Sequence, residues 1–444
     1  MADERHSGDH PFRFPQDADR DFPHGGARST PNGGPGVSGR ARRRSGIRAE
    51  HIITMSGRHF LQIPGPTNVP ERILRAMDRT VVDHRGAELP PVVFEIVEGL
   101  RGTFQSRDGA IALFPASGTG ATEAAVVNTL NPGDRALAFN NGAFSHAFAE
   151  VARRFSVDVD EVDLPWDRGV PPDLIRDRLA ADADHTYRAL LVVHNETSTG
   201  ATTDLAAVRR AMDAAGHPAF LIVDAVSSLA SLDFRFDEWA VDVALAGSQK
   251  GLMLPPGLGI VCIGARALRR AEDVTTPRAF FDWRPVLKEM ERGYFPFTPA
   301  TLLLYGLREA LRMLSEEGLP QVITRHRRLA EAVRAAVRAW ERPVQCREPA
   351  EYSNTLTAVV VPEGADSDAV RRVAETHFNL SLGAGLGRLA GKVFRIGHLG
   401  SLNELEVLAT LAGTELAMTV AGIQVPVGAG VAAAQRVLLE HVGT

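Results

Sequence analysis

Val241-Asp242-Val243-Ala244-Leu245-Ala246-Gly247-Ser248-Gln249-Lys250-Gly251 is the stretch that decides how the rest of the chain reads. Its first six residues form a short, mainly apolar run, which predicts a buried strand over 241–246. The strand stops at Gly247-Ser248, and Lys250 sits in the turn ahead of the rigid Leu254-Pro255-Pro256-Gly257. Burial at the end of such a strand disfavours the ammonium form and frees the amine to attack a carbonyl. A lysine in a solvated loop has the same local sequence, so the choice between the two readings rests on what surrounds it.

Six further apolar runs, at 110–114, 136–139, 157–162, 189–193, 219–223 and 259–263, alternate with helix-like stretches at 121–130, 143–154, 172–181 and 205–215. That alternation predicts an α/β fold with a wide, seven-stranded, mostly parallel sheet covered on both faces. A second pattern begins near Pro299, with helices at 301–317 and 323–340, short strands at 355–361 and 393–397, and a helix at 403–420. It reads as a smaller C-terminal α+β domain. The expected division is a large domain over 55–300 with an N-terminal arm, and a small domain over 301–444. Residues 1–54 are dense in Gly, Pro, Asp and Arg and nearly free of hydrophobic periodicity, and are read as a disordered extension. Globular sequence opens at Met55, so a mis-assigned start and a genuine tail both stay open.

Composition narrows the classes of function. The 444 residues are 44% hydrophobic and 23% charged, as in a soluble globular protein. Lys+Arg of 49 against Asp+Glu of 54 gives a net charge of -5, which speaks against a nucleic-acid binder. Two cysteines, Cys262 and Cys346, are too few for a disulfide framework or a zinc site, so no metal is expected and a reducing compartment is. No apolar run reaches the roughly 18 residues of a membrane span. A secretory core is absent, acidic residues argue against a transit peptide, and His441-Val442-Gly443-Thr444 is no peroxisomal address, so the cytoplasm is expected.

Two more motifs give Lys250 its context. Phe220-Leu221-Ile222-Val223-Asp224 ends an apolar strand on a carboxylate, at the edge where open α/β sheets bind ligands. Asp224 there needs a cationic or hydrogen-bonding partner, such as a pyridinium nitrogen, unless it merely caps a helix. Ala116-Ser117-Gly118-Thr119-Gly120 lies between a strand and a helix expected to begin near Ala121, and its small residues and free amides suit a phosphate. It has neither the P-loop nor the dinucleotide spacing. Together the three segments offer sites for a phosphate, a ring nitrogen and an aldehyde, the three handles of pyridoxal phosphate.

With these residues the chain resembles the class V aminotransferases of the fold-type-I pyridoxal phosphate enzymes, and most closely the serine-glyoxylate aminotransferases of the alanine-glyoxylate group. The likeness runs from about Arg58 to Ala434 through PGPTNVP (64–70), DHRG (83–86), FPASGTG (114–120), NTLNPGD (128–134), HNETSTG (194–200), VDAVSSL (223–229), DEWAVDVALAGSQKG (237–251), LPPGLGIV (254–261), YGLREAL (305–311), AGKVFRIGHLG (390–400) and GAGVAAA (428–434).

The resemblance implies roles residue by residue. Lys250 is the Schiff-base lysine and Asp224 the partner of the ring nitrogen. Ser117, Gly118, Thr119 and Gln249 hold the phosphate, Phe144 stacks on the ring, and Thr197 lies near the phenolic oxygen. Arg395, on the apolar strand Val393-Phe394-Arg395-Ile396, binds the substrate's α-carboxylate; by its residue type alone a salt bridge to a protein acid is the alternative. Tyr294 and Thr298 are candidates to complete the phosphate site from the partner subunit of a homodimer, although the Tyr-Thr spacing is one residue longer than in the animal alanine-glyoxylate enzymes. Ser198 and Ala225 depart from the Ala and Gly that close relatives tend to have. His194 and His398 are expected to be structural.

The implied reaction moves the amino group of L-serine to glyoxylate, giving hydroxypyruvate and glycine. Aspartate or alanine as donor, and a class V lyase, remain as alternatives. Arg85 is the candidate second cation for an aspartate donor, and Glu88, expected to repel a distal carboxylate or to occupy Arg85, favours serine.

Overall fold

A computed structural model describes residues 57–440. The expected extension over 1–54, the opening at Met55 and the C-terminal tetrapeptide lie outside the described residues.

All seven expected strands form one sheet. They are β1 (Ala110–Pro115), β2 (Arg135–Asn140), β3 (Asp158–Asp163), β4 (Tyr187–Val193), β5 (Phe220–Asp224), β6 (Val243–Gly247) and β7 (Leu258–Ile263). Their spatial order is β1-β7-β6-β5-β4-β2-β3. Only β7 runs against its neighbours. The link over 248–257 is shorter than the dozen or so residues that a parallel crossover needs, so β7 must return antiparallel to β6. The remaining six strands are mutually parallel, and β1, β5 and β6 end on one edge of the sheet. β5 is central, with Asp224 in register with Val193 of β4 and Leu245 of β6.

The helices start and stop where local chemistry dictates. Asp204 accepts the Ala207 N–H at 2.9 Å to open helix Leu205–Ala215, and Gly216 closes it with a left-handed φ of 60°. Asn403 and Glu406 form a reciprocal capping box at the start of Glu404–Val420.

Two hydrophobic cores result. The first surrounds the seven-stranded sheet and takes in Leu304, Tyr305, Leu307 and Leu311 from helix Thr301–Glu317. The second packs Leu329, Val333, Val337 and Trp340 of the next helix region against Val359, Phe394, Ile396 and Leu411. Each large side chain so buried is worth about 1.5–3 kcal/mol. The second core rests on a four-stranded sheet ordered Phe60–Gln62, Leu380–Ala384, Val393–Gly397, Leu356–Val360. Its first strand comes from the beginning of the described chain, which ties that segment to the C-terminal region. Among the described residues, no helix is long and apolar enough to cross a membrane.

Candidate active site

Three strand ends build the site. Beyond β1, helix Gly118–Thr129 starts at Gly118, three residues earlier than expected, and the Oγ of Ser117 caps it by accepting the Gly120 N–H at 3.3 Å. The first amides of a helix have no intrahelical acceptor and carry its positive end, so Ser117, Gly118 and Thr119 form an anion cup. A Cβ on Gly118 would stand 2.9 Å from Cγ2 of Val226, so glycine lets this cup close onto the turn after β5.

Asp224 ends β5, and no helix follows it, which removes the helix-cap alternative. Its Oδ1 accepts the Val226 N–H at 2.8 Å. Burial pushes its carboxyl up to about 7, the nearby Glu196 adds to the shift, and the Val226 N–H and Lys250 oppose it. Such a group is poised to ionise when a cation is placed on it.

The turn after β6 is held by Ser248, whose Oγ donates to Pro255 O at 2.8 Å and accepts the Leu258 N–H at 3.2 Å. Lys250 is thereby aimed inward rather than into solvent. Burial, reinforced by the Arg395 charge, brings its ammonium down to about 8.

A cleft of about 180 Å³ gathers Ser117, Gly118, Thr119, Phe144, Thr197, Asp224, Gln249 and Lys250. Arg395 does not itself line the cleft but is bonded to Thr197, which does. Its strand is buried throughout, and its guanidinium donates to Ala384 O and Thr197 O, both at 2.7 Å. Among the described residues no carboxylate touches it, so the salt bridge to a protein acid is not formed. Burial lowers its pKa to about 10.

Besides Arg395, three expected residues do not line the cleft of this chain. Tyr294 is half-buried, with the Arg292 guanidinium 5.9 Å from its ring centre, and Thr298 is exposed. Arg85 is exposed, with its Nη1 2.6 Å from Nε2 of His84. Glu88 lies 3.6 Å from the Arg79 guanidinium, which corrects the expectation that it engages Arg85. The chain turns into helix Leu89–Phe104 immediately after Glu88, which makes no side-chain cap bond to it.

Two features were not read from the sequence. The first is the PGPT segment, which lies over the lysine turn: Lys250 Nζ donates to Pro64 O, and Thr67 Oγ1 donates to Lys250 O at 3.2 Å. The second is Glu196, fully buried beside the cleft. His194 packs against Phe234 and Trp239, and burial holds it down to about 4. His398 lies 3.0 Å from both Thr357 Oγ1 and Asn354 O and is held down to about 3, again by burial. Neither histidine lines the cleft.

Known proteins resemble this chain in sequence and fold. Residues 59–394 match the family model described as aminotransferase class-V. The chain belongs to the class-V aminotransferases. It is 49% identical over 390 residues to a serine–glyoxylate aminotransferase of Methylorubrum extorquens, covering 87% of this chain and 97% of that protein. It is 45% identical over 381 residues to an L-aspartate–glyoxylate aminotransferase of Paracoccus denitrificans, covering 86% and 96%. Among solved structures, the ureidoglycine-glyoxylate aminotransferase of Bacillus subtilis superposes with a TM-score of 0.80 at 27% identity, covering 87% of this chain and 99% of that one.

This class-V aminotransferase uses pyridoxal phosphate. The residues present fit that group. The helix-start amides offer a phosphate site, Asp224 offers a buried anion, and Oε1 of Gln249 is buried without a partner, which leaves that amide free to turn toward a ligand.

Proposed function

We propose that this aminotransferase moves the amino group of L-serine to glyoxylate, giving hydroxypyruvate and glycine. The observation that carries the reading is the meeting, in one cleft, of Lys250, Asp224 and the Ser117 helix start, with the Arg395 fork free of any protein acid.

Pyridoxal phosphate supplies an aldehyde that exchanges amines and a ring that takes up the electron pair left at Cα. The protein does the rest. Ser117, Gly118, Thr119 and Gln249 would bind the phosphate, Phe144 would stack on the ring, and Thr197 would meet the phenolic oxygen. Asp224 would hold the proton on the ring nitrogen. Lys250, whose ammonium burial brings down to about 8 in the cofactor-free protein, would be the group that takes up and returns the substrate's Cα proton. Arg395 binds the α-carboxylate in two-pronged fashion.

The donor follows from counting charges. Serine and glyoxylate each bring one carboxylate, and Arg395 serves it. Aspartate brings a second, for which Arg85 is the candidate cation, and in this chain Arg85 is exposed with its guanidinium against His84. A class V lyase of the desulfurase kind would need a reactive cysteine. Cys262 is buried in β7, and burial raises the Cys346 thiol to about 11.

The working unit is proposed to be a homodimer, in which Tyr294 and Thr298 of a second copy complete the phosphate site. The cytoplasm is its proposed location, supported by two cysteines left as free thiols.

A donor panel with glyoxylate as acceptor tests the reading. The expected result is ping-pong kinetics and a higher kcat/KM for serine than for aspartate or alanine. Aspartate better by tenfold, about 1.4 kcal/mol, overturns the substrate while leaving the aminotransferase in place.

A further inference from the structure

Glu196 is wholly buried, and none of the chemistry above uses it. Its chain neighbours Asn195 and Thr197 line the cleft, while its own carboxylate serves a different element. Oε2 accepts the N–H of Phe144 at 3.1 Å and that of Ser145 at 2.9 Å. Oε1 accepts the Ser198 N–H at 3.0 Å and the Ser198 hydroxyl at 2.7 Å. The Ser198 oxygen in turn accepts the Ala143 N–H at 2.9 Å. Three successive amides in the first turn of helix Ala143–Arg154 are therefore satisfied from outside the helix.

That helix has no side-chain cap of its own, because the residue before it is Gly142. A Cβ on Gly142 would lie 2.2 Å from both Cγ and Cδ of Glu196, so the glycine leaves the volume that the glutamate fills. A carboxylate at a helix start meets unpaired N–H groups and the positive end of the dipole, and charge-assisted bonds of this kind are the strong ones. What the cap fixes is Phe144, whose N–H is one of those on Oε2 and whose side chain lines the cleft. On the other side, Thr197 O accepts from Arg395 at 2.7 Å.

We propose that Glu196 is a positioning residue of this enzyme: it caps, from a separate segment, the helix that carries Phe144, and so holds that ring against the cofactor's ring. The proposal rests on the reading of the cleft as a pyridoxal phosphate site. A glutamine at this position offers one oxygen and one NH2 group to four donors, so one pair of donors must face an NH2. The helix start then shifts, and Phe144 with it.

The test is a double-mutant cycle on pyridoxal phosphate affinity, measured by titrating the cofactor-free full-length protein with pyridoxal phosphate, together with the circular dichroism of the bound cofactor. Glu196→Gln is expected to raise the dissociation constant about tenfold and to weaken the cofactor's dichroic band. In a Phe144→Ala background the same change is expected to matter by less than about twofold, since the ring it positions is gone. Equal fold-changes in both backgrounds, with the dichroic band intact, would overturn the positioning role. Should Glu196→Gln not give folded protein, Glu196→Asp, which keeps the charge but is one methylene shorter, goes through the same cycle with the same two outcomes. Wild-type protein that binds no pyridoxal phosphate overturns the functional reading itself; binding by wild type with additive changes overturns the role of Glu196 alone.

Discussion

Gly65 and Lys250 approach so closely that a Cβ on Gly65 would lie 2.5 Å from Cδ of Lys250. Gly65 also has a φ of +98°, which side chains resist. The PGPT segment thus forms a wall of the lysine's working space, and that wall must be bare. Gly65→Ala is expected to lower kcat/KM by about a hundredfold, the cost of displacing a reacting group by about an ångström. Gly57→Ala is the control: it has the same φ of +98° with nothing within 4 Å of the added carbon, so its activity should stay near wild type. Comparable losses in the two variants would mean that backbone strain, and not contact with Lys250, is the cause.

Asp224→Asn tests the buried anion. The phosphate contacts remain, so cofactor should still bind, while kcat falls by on the order of a thousandfold, as when a charge-stabilising group is removed from a site. Steady-state assays of the cofactor-saturated variant measure this, and an unchanged rate would make Asp224 a structural residue only.

The same carboxyl predicts a pH dependence of stability. In the cofactor-free protein its folded pKa is about 7 against an ordinary 3.8. Between those values the folded state keeps a proton that the unfolded chain has released, so the contribution to stability falls as pH rises through the window. Below the window both states are protonated and the penalty is absent; above it the penalty is complete. Melting curves of cofactor-free wild type should therefore drop relative to Asp224→Asn from about pH 4 to about pH 7 and run parallel beyond. Curves parallel throughout would show a carboxyl with an ordinary pKa.

Arg395→Ala is expected to lose about 2 to 5 kcal/mol of binding to each substrate, roughly 30- to 5,000-fold in kcat/KM. The loss should be similar for serine and glyoxylate, because each presents one carboxylate. A defect confined to one of the two would place Arg395 on another substrate group.

Local chemistry made much of this fold legible. Six of the seven sheet strands were visible as compact, mainly apolar runs bounded by turn residues, the edge strand Asp158–Asp163 (DVDEVD) showed only valines alternating with acids, and helix 143–154 was read at its exact limits. Helix Gly118–Thr129 was expected three residues late because Gly118 and Gly120 look like loop, and only the Ser117 cap marks the true start. Strands Phe60–Gln62 and Leu380–Ala384 were missed because a three-residue strand shows no period and LSLGA ends in a small-residue pair. Within the cleft, Lys250, Asp224 and the Ser117 turn could be read because each follows a strand. Glu196 could not: its partners Phe144 and Ser145 are 52 and 51 residues away, and nothing beside it in the chain signals them. Pro64 belongs to the PGPTNVP motif, yet its carbonyl meets a lysine 186 residues on, a contact no local pattern encodes.

The most direct measurement follows the nitrogen. Wild-type protein loaded with pyridoxal phosphate is given 15N-labelled L-serine and glyoxylate, and the products are read by mass spectrometry beside those of Lys250→Ala. The expected result is 15N-glycine and hydroxypyruvate in equal amounts from wild type and almost none from the variant. Labelled glycine formed by Lys250→Ala at the wild-type rate, or none formed by wild type, would contradict it.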